Sequence, residues 1–195
     1  MSRPAAVDGR TQRRTHNIDV VVDAMLQLLG EGRPWPSAAD IAARAGLSER
    51  SVYRYFDDLD ALARAAVETQ IGRADHLFHP LDVDPGADVG ERIDRLVDHR
   101  IAMFDEVGRI VQAARVRATL HEAIAVGLAH RRRQLRAQLQ ALFAPELTRP
   151  ATEDLLPALE VVTGFEALQV LRVDQGHSAT RTRRILRRTL TALLT

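Results

Sequence analysis

The 195-residue chain has no cysteine and no lysine. The first absence excludes a disulfide framework, a thiol nucleophile and a thiolate metal site. The second makes every cationic side chain other than histidine an arginine, 27 in all. Coding bias in a GC-rich genome accounts for such a choice, although guanidinium groups also suit bidentate contacts. Aromatic residues are scarce, at 4%, with one Trp, two Tyr and five Phe. No apolar run approaches the roughly 18 residues of a membrane span, and the N-terminus lacks the apolar core of a secretory signal. A cytoplasmic protein without membrane contact is the expectation.

An excess of charge of one sign is missing too: the net charge is +1. Bulk basicity therefore identifies no nucleic-acid partner, and any such reading has to come from where the charges sit. No strand-type alternation and no internal repeat is present. There is no nucleophile with a base, no carboxylate pair of recognisable spacing and no glycine-rich phosphate loop, so an enzyme is not expected. No cofactor is expected either. Hydrophobic residues at 46% and charged residues at 27% fit a folded chain with a sizeable core.

What is present is helical periodicity from one end to the other, and it predicts an all-α fold of about nine helices. Residues 1–14, with Arg3, Arg10, Arg13 and Arg14 against Asp8 alone, read as a flexible basic arm: a solvated terminus, or a tail lying along a DNA groove. Ile18, Val21, Val22, Met25, Leu28 and Leu29 predict a first helix over 15–29. Pro34, Trp35 and Pro36 follow as a stiff linker, with Trp35 plugging the small core. The stretch SAADIAARAGLSERSVYRYF, residues 37–56, carries the strongest local signal. Ser37 and Asp40 approximate a capping box, and Ser48 can cap the next helix. Gly46 between them supplies the positive φ that a steep corner requires. Ile41, Ala42, Ala45, Leu47, Val52 and Phe56 face inward. Glu49, Arg50, Ser51, Tyr53, Arg54 and Tyr55 are left outward or sideways, an unusual set for a merely solvated helix. This is a helix-turn-helix whose second helix enters a major groove.

The run AADIAARAGLSERSVYRYFDDLDAL resembles the DNA-binding segment of the tetracycline-repressor (TetR) family of transcriptional regulators. The resemblance in motif covers about residues 15–66. It departs from the family at Leu59, where a phosphate-touching lysine is usual. The resemblance implies a DNA-binding domain over 15–58, joined near Leu59 to a helical effector-binding and dimerisation domain over 59–195. The DNA contacts expected are Arg50, Ser51, Tyr53 and Arg54, with Ser37, Ser48 and Tyr55 toward phosphates.

Beyond Asp57 and Asp58, which can cap the fourth helix, the loop HPLDVDPGAD precedes a fifth helix through Val89–Phe104. A sixth, entered through Gly108, spans 110–118. A seventh covers 119–143, an eighth 152–174 with Pro157 near its start, and a ninth follows Ser178. The last two carry apolar stripes, Val161, Phe165 and Leu168 with Leu186, Leu190 and Leu193, which either complete the monomer's core or form a homodimer contact. The dimer is the expectation, because two-fold pairing sets two reading helices about 34–36 Å apart along one face of DNA. The resemblance further implies an effector cavity, for which Leu96, His99, Phe104, Arg115, Arg117, His121, Ile124 and Leu128 are the candidates. Few aromatics remain for a cage, so the expected effector is apolar or a small acid. His76 and His79 beside Asp75 are read as an exposed pair rather than a metal site. Arg131, Arg132, Arg133 and Arg136 are read as a solvated face. The function expected is a sequence-specific DNA-binding transcriptional regulator, a repressor on a palindromic operator released by a small molecule. The alternative is a helical protein-interaction module.

Overall fold

The computed structural model describes residues 9–33, 36–150 and 152–195, with the side chains of residues 9 and 10 left aside. The sequence-expected features at Arg3, Asp8, Pro34 and Trp35 lie outside the described residues. The chain forms two compact units: residues 1–73 with 109–124, and residues 74–108 with 125–195. Among the described residues all regular structure is helical.

In the first unit, α1 (Gly9–Gly30) packs against α2 (Ala38–Ala45) and α4 (Leu59–Arg73), and α2 packs on α3 (Glu49–Tyr55). Helix α1 begins at Gly9 rather than Thr15, so residues 9–14 of the expected arm are helical. The physical reason is local: Arg10, Thr11, Gln12, Arg13 and Arg14 include no proline or glycine to stop propagation, and arginine and glutamine are good helix formers. The core is Val21, Met25, Leu28 and Leu29 of α1, Ile41 and Ala42 of α2, Val52 of α3, and Leu62, Ala63 and Ala66 of α4. Leu59 and Phe56 pack on its edge. Asp58 caps α4 by accepting from the Ala61 amide at 2.6 Å.

Helix α5 (Val89–Ala118) runs 30 residues without a break. The separate fifth and sixth helices expected from the sequence are therefore one. Gly108 serves packing instead: a Cβ there would stand 3.4 Å from the Phe104 ring. The break falls where no sequence expectation placed it, at Gly164, between α8 (Leu155–Thr163) and α9 (Phe165–Gln169). A Cβ at Gly164 would come within 2.8 Å of the Glu160 carbonyl oxygen, so only glycine fits that tight approach. A π-helical turn at Val170–Asp174 and Gly176, at φ 63°, lead into α10 (Ala179–Leu194).

The second unit also holds α6 (Glu122–Leu142), from residue 125 onward, and the short α7 (Ala144–Leu147). Its core unites Ile93, Leu96, Val97, Ile101 and Phe104 with Leu139, Phe143 and Leu159. Leu168, Leu186 and Leu190, expected at a dimer contact, fill this same core. Phe165 is half-buried, its ring 5.3 Å from that of Phe104. Val161 is 73% exposed, and Leu193, Val170 and Val173 are exposed with it.

Candidate DNA-binding site

The corner between α2 and α3 is built from three local devices. Ser37 accepts from the Asp40 amide at 3.1 Å while the Asp40 carboxylate accepts from the Ser37 amide at 3.1 Å, completing a capping box. These Ser37 hydrogen bonds hold the Asp40 carboxyl below its usual value. Gly46 closes α2 in the left-handed region, φ 65° and ψ 30°. Ser48 then accepts from the Ser51 amide at 3.2 Å and opens α3. With the Ser37, Asp40 and Ser51 amides all satisfied by side-chain oxygens, the corner has little freedom left.

That corner exposes Arg50, Tyr53 and Arg54, with Tyr53 at 52%. Ser51 is half-buried, its hydroxyl 3.0 Å from that of Ser48. The hydroxyls of Ser37 and Ser48 both serve as caps, and Ser37 also donates to Asp40 at 2.7 Å. Arg50 has no polar partner among the described residues, so its guanidinium is available to a ligand.

Arg54 is held. Its Nη2 donates to the Tyr55 hydroxyl at 2.7 Å and its guanidinium carbon lies 4.9 Å from the Tyr55 ring centre. The same hydroxyl accepts from Asn17 Nδ2 at 2.9 Å. Asn17 first, then Arg54, draw the phenol below its usual value, because both donors stabilise negative charge on the oxygen. Thr11, Arg13, Arg14, Asn17, Arg54 and Tyr55 line one surface cleft. Sequence reasoning saw Arg13 and Arg14 only as an arm and missed Asn17. The signal was there: continued helically, Arg13, Arg14 and Asn17 fall on one face of α1.

Of the expected effector residues, Leu96, His99, Phe104 and Leu128 lie in the second unit and Arg115, Arg117, His121 and Ile124 in the first. Leu96, Phe104, Arg117 and Ile124 are buried; His99, Arg115, His121 and Leu128 are partly so. His121 Nε2 stands 3.8 Å from Asp60. His79 pairs with Asp75, which also binds Arg131, and Arg131 stacks 4.6 Å from the Phe78 ring centre. The arginines of α6 are largely paired: Arg132 with Glu166, Arg136 with Glu160.

Fold and corner together define an all-helical protein with a helix-turn-helix near its N-terminus. Residues 36–66 match the family model for bacterial regulatory proteins, tetR family. The chain has the fold of TetR-type transcriptional regulators along nearly its whole length. A transcriptional regulator from Rhodococcus sp. Rha1 superposes with TM-score 0.70 at 18% identity, covering 91% of this chain and 95% of that one. A protein from Mesorhizobium loti, described as a TetR-family transcriptional regulator, gives 0.63 at 14%, covering 93% and 96%. The multidrug binding protein EbrR, complexed with imidazole, gives 0.57 at 22%, covering 100% and 97%. A sequence search of curated proteins finds no match. Among the described residues no helix is long and apolar enough to cross a membrane.

Proposed function

We propose that the protein is a cytoplasmic transcriptional repressor that binds a palindromic operator as a homodimer and releases it when a small molecule binds. The observation that carries the reading is the capped, glycine-closed corner that leaves Arg50, Tyr53 and Arg54 exposed together on α3. Arg50, with no competing partner among the described residues, is the base reader, suited to the two acceptors of guanine. Ser51 and Tyr53 flank it. Arg54, fixed on Tyr55, faces the backbone with Arg13 and Arg14, since a guanidinium locked in a basic cleft meets a phosphate more readily than a base edge. Ser37, Ser48 and Tyr55 complete the phosphate contacts.

The functional division is a reader over 15–58 and an effector-binding and dimerising part over 59–195. Val161 and Leu193, exposed on α8 and α10, with half-buried Phe165, form the dimer contact. Leu96, His99, Phe104 and Leu128 of the second unit contribute to the effector site, for an apolar or acidic molecule; a structural relative is described as a multidrug binding protein. Residues 74–79 directly follow α4, so an effector that shifts them acts on the helix ending at Arg73. Linkage then requires DNA to weaken effector binding by the factor with which effector weakens DNA binding. The protein performs no catalysis in this scheme.

A gel-shift titration against the DNA flanking the protein's own gene tests the reading. The expected result is a discrete complex whose affinity falls steeply with salt. Absence of any sequence-preferring complex at low salt would sink it.

A further inference from the structure

Two arginines of α5 are buried almost equally and partnered very differently. Arg92, 4% exposed, is clasped by Glu146, 3% exposed. Nη1 meets Oε2 at 2.8 Å and Nη2 meets Oε1 at 2.7 Å, while the carbonyls of Leu142 and Ala87 take further protons. Arg100 lies two turns further along the helix and is only 1% exposed. Its partners are neutral. Nη1 donates to Gln138 Oε1 at 2.7 Å, Nη2 reaches the Leu135 carbonyl at 3.5 Å, and Nε is buried without an acceptor among the described residues.

Among the described residues no carboxylate answers this charge. Neighbouring acids of the second unit are committed elsewhere: Asp75 to Arg131 and His79, Asp94 to Arg187, Asp98 to Arg183. Burial lowers the Arg100 value to about 10. The adjacent His99 is also pushed down, by burial first and then by the Arg100 charge. A buried guanidinium without a counter-ion is costly, and an apolar side chain of similar volume would avoid the cost. Keeping it serves something other than folding.

We propose that Arg100 anchors an anion site, and that the effector is a small apolar carboxylic acid whose carboxylate takes the Nε–Nη2 edge of the guanidinium, beside the Gln138 amide on Nη1. This rests on the reading of the protein as a ligand-responsive regulator and names the class of ligand. The Gln138 amide is planar and has the shape of a carboxylate, but it offers one acceptor oxygen where a carboxylate offers two and a charge. A carboxylate satisfies the unpartnered Nε together with Nη2, replacing only the 3.5 Å contact to the Leu135 carbonyl, a bidentate arrangement that Gln138 cannot make. The rest of the ligand has to be apolar, because Arg100 lies in sequence between Val97 and Ile101, and its partner Gln138 beside Leu139, all members of one apolar core.

Gln138 ties Arg100 to a neighbouring segment. Gln138 Nε2 donates to the carbonyls of Leu77 and His79, and His99 Nε2 donates to the Leu77 carbonyl at 2.8 Å. These carbonyls belong to the 3₁₀ turn Asp75–Phe78 and the residue after it, directly beyond α4. A ligand that shifts the Arg100 side chain therefore pulls, through Gln138, on the segment that continues α4.

The test uses the full chain without DNA, with hexanoate, octanoate and benzoate as probes and hexanol, octanol and benzyl alcohol as neutral counterparts. Thermal unfolding and calorimetric titration are the readouts. The acids should raise the midpoint of the wild-type protein and the alcohols should not. Arg100→Gln keeps a polar side chain without the charge. It should unfold at the same or a higher temperature and bind the acids about tenfold more weakly or worse. Arg133→Gln, at an exposed arginine of α6, should bind like wild type. Arg100→Lys keeps the charge without the planar fork and should also lose affinity; it decides the matter should Arg100→Gln not fold. The proposal is overturned if no acid outperforms its alcohol, or if Arg100→Gln or Arg100→Lys binds the acids as wild type does. Loss of DNA binding with acid binding intact would sink the regulator reading and leave this site standing.

Discussion

At the scale of single residues, partners decide what each charge does. Arg50 is exposed with no polar partner among the described residues, and Arg54 is stacked and hydrogen-bonded on Tyr55. Arg50→Ala should cost on the order of 1–3 kcal/mol on the cognate operator and relax preference at one base pair, measured by selection from randomised sites. An unchanged preference would remove Arg50 as a base reader. Tyr55→Phe deletes the oxygen that accepts from both Asn17 and Arg54. It should weaken binding by a similar factor on all sequences, and a sequence-specific loss would argue against a backbone role. Inside the second unit, Arg92 holds the Glu146 carboxyl below its usual value. A depressed carboxyl stabilises the fold fully above the unfolded glutamate range, about pH 4.3, and that stability is lost as pH falls through the lower folded value. Glu146→Gln should cost about 3–5 kcal/mol in denaturant unfolding near neutral pH, since it strands a buried guanidinium. It should also flatten the acid limb of the stability profile.

At the scale of elements, the helix-turn-helix corner is specified by residues near in sequence. Gly46 at φ 65° has open space around a would-be Cβ, so the cost of Gly46→Ala is conformational rather than steric. It should be about 1–2 kcal/mol by chemical denaturation. Helix α4 begins at Leu59, which is half-buried against the first core, and it presents no cation to a phosphate at that position. Leu59→Lys should steepen the logarithmic salt dependence of DNA binding by about one phosphate contact per subunit. An unaltered slope would mean that the start of α4 does not reach the backbone. The segmentation of the long helices obeys a different rule. Gly108 lies inside α5 because its missing Cβ admits the Phe104 ring, while Gly164 breaks the chain because only it tolerates the Glu160 carbonyl so near.

At the scale of the molecule, the near-zero net charge hides an uneven distribution, with the α1 end and α3 supplying Arg13, Arg14, Arg50 and Arg54. The proposed homodimer depends on little apolar surface, because Leu168, Leu186 and Leu190 are already buried in one chain. Val161→Glu puts a charge on an exposed valine without touching that core. Sedimentation equilibrium should show a shift toward monomer with the unfolding midpoint of the monomer kept. A dimer of undiminished affinity would move the contact elsewhere.

The sequence by itself determined the all-helical class, the caps of α2 and α3, and the residues that α3 exposes. Each of these depends on groups no more than a few positions apart, where helical geometry already dictates who meets whom. Periodicity also picked out the apolar stripes, but it could not say whether Leu186 and Leu190 face their own chain or a second one, since burial looks the same in either case. Only the tertiary structure decided that. It also decided which glycine interrupts a helix, that Asn17 meets Tyr55, and that Arg92 finds Glu146 while Arg100 finds the neutral Gln138 and the Leu135 carbonyl. Those partners lie tens of residues apart, and a buried arginine reads identically in sequence whether or not a carboxylate is folded against it.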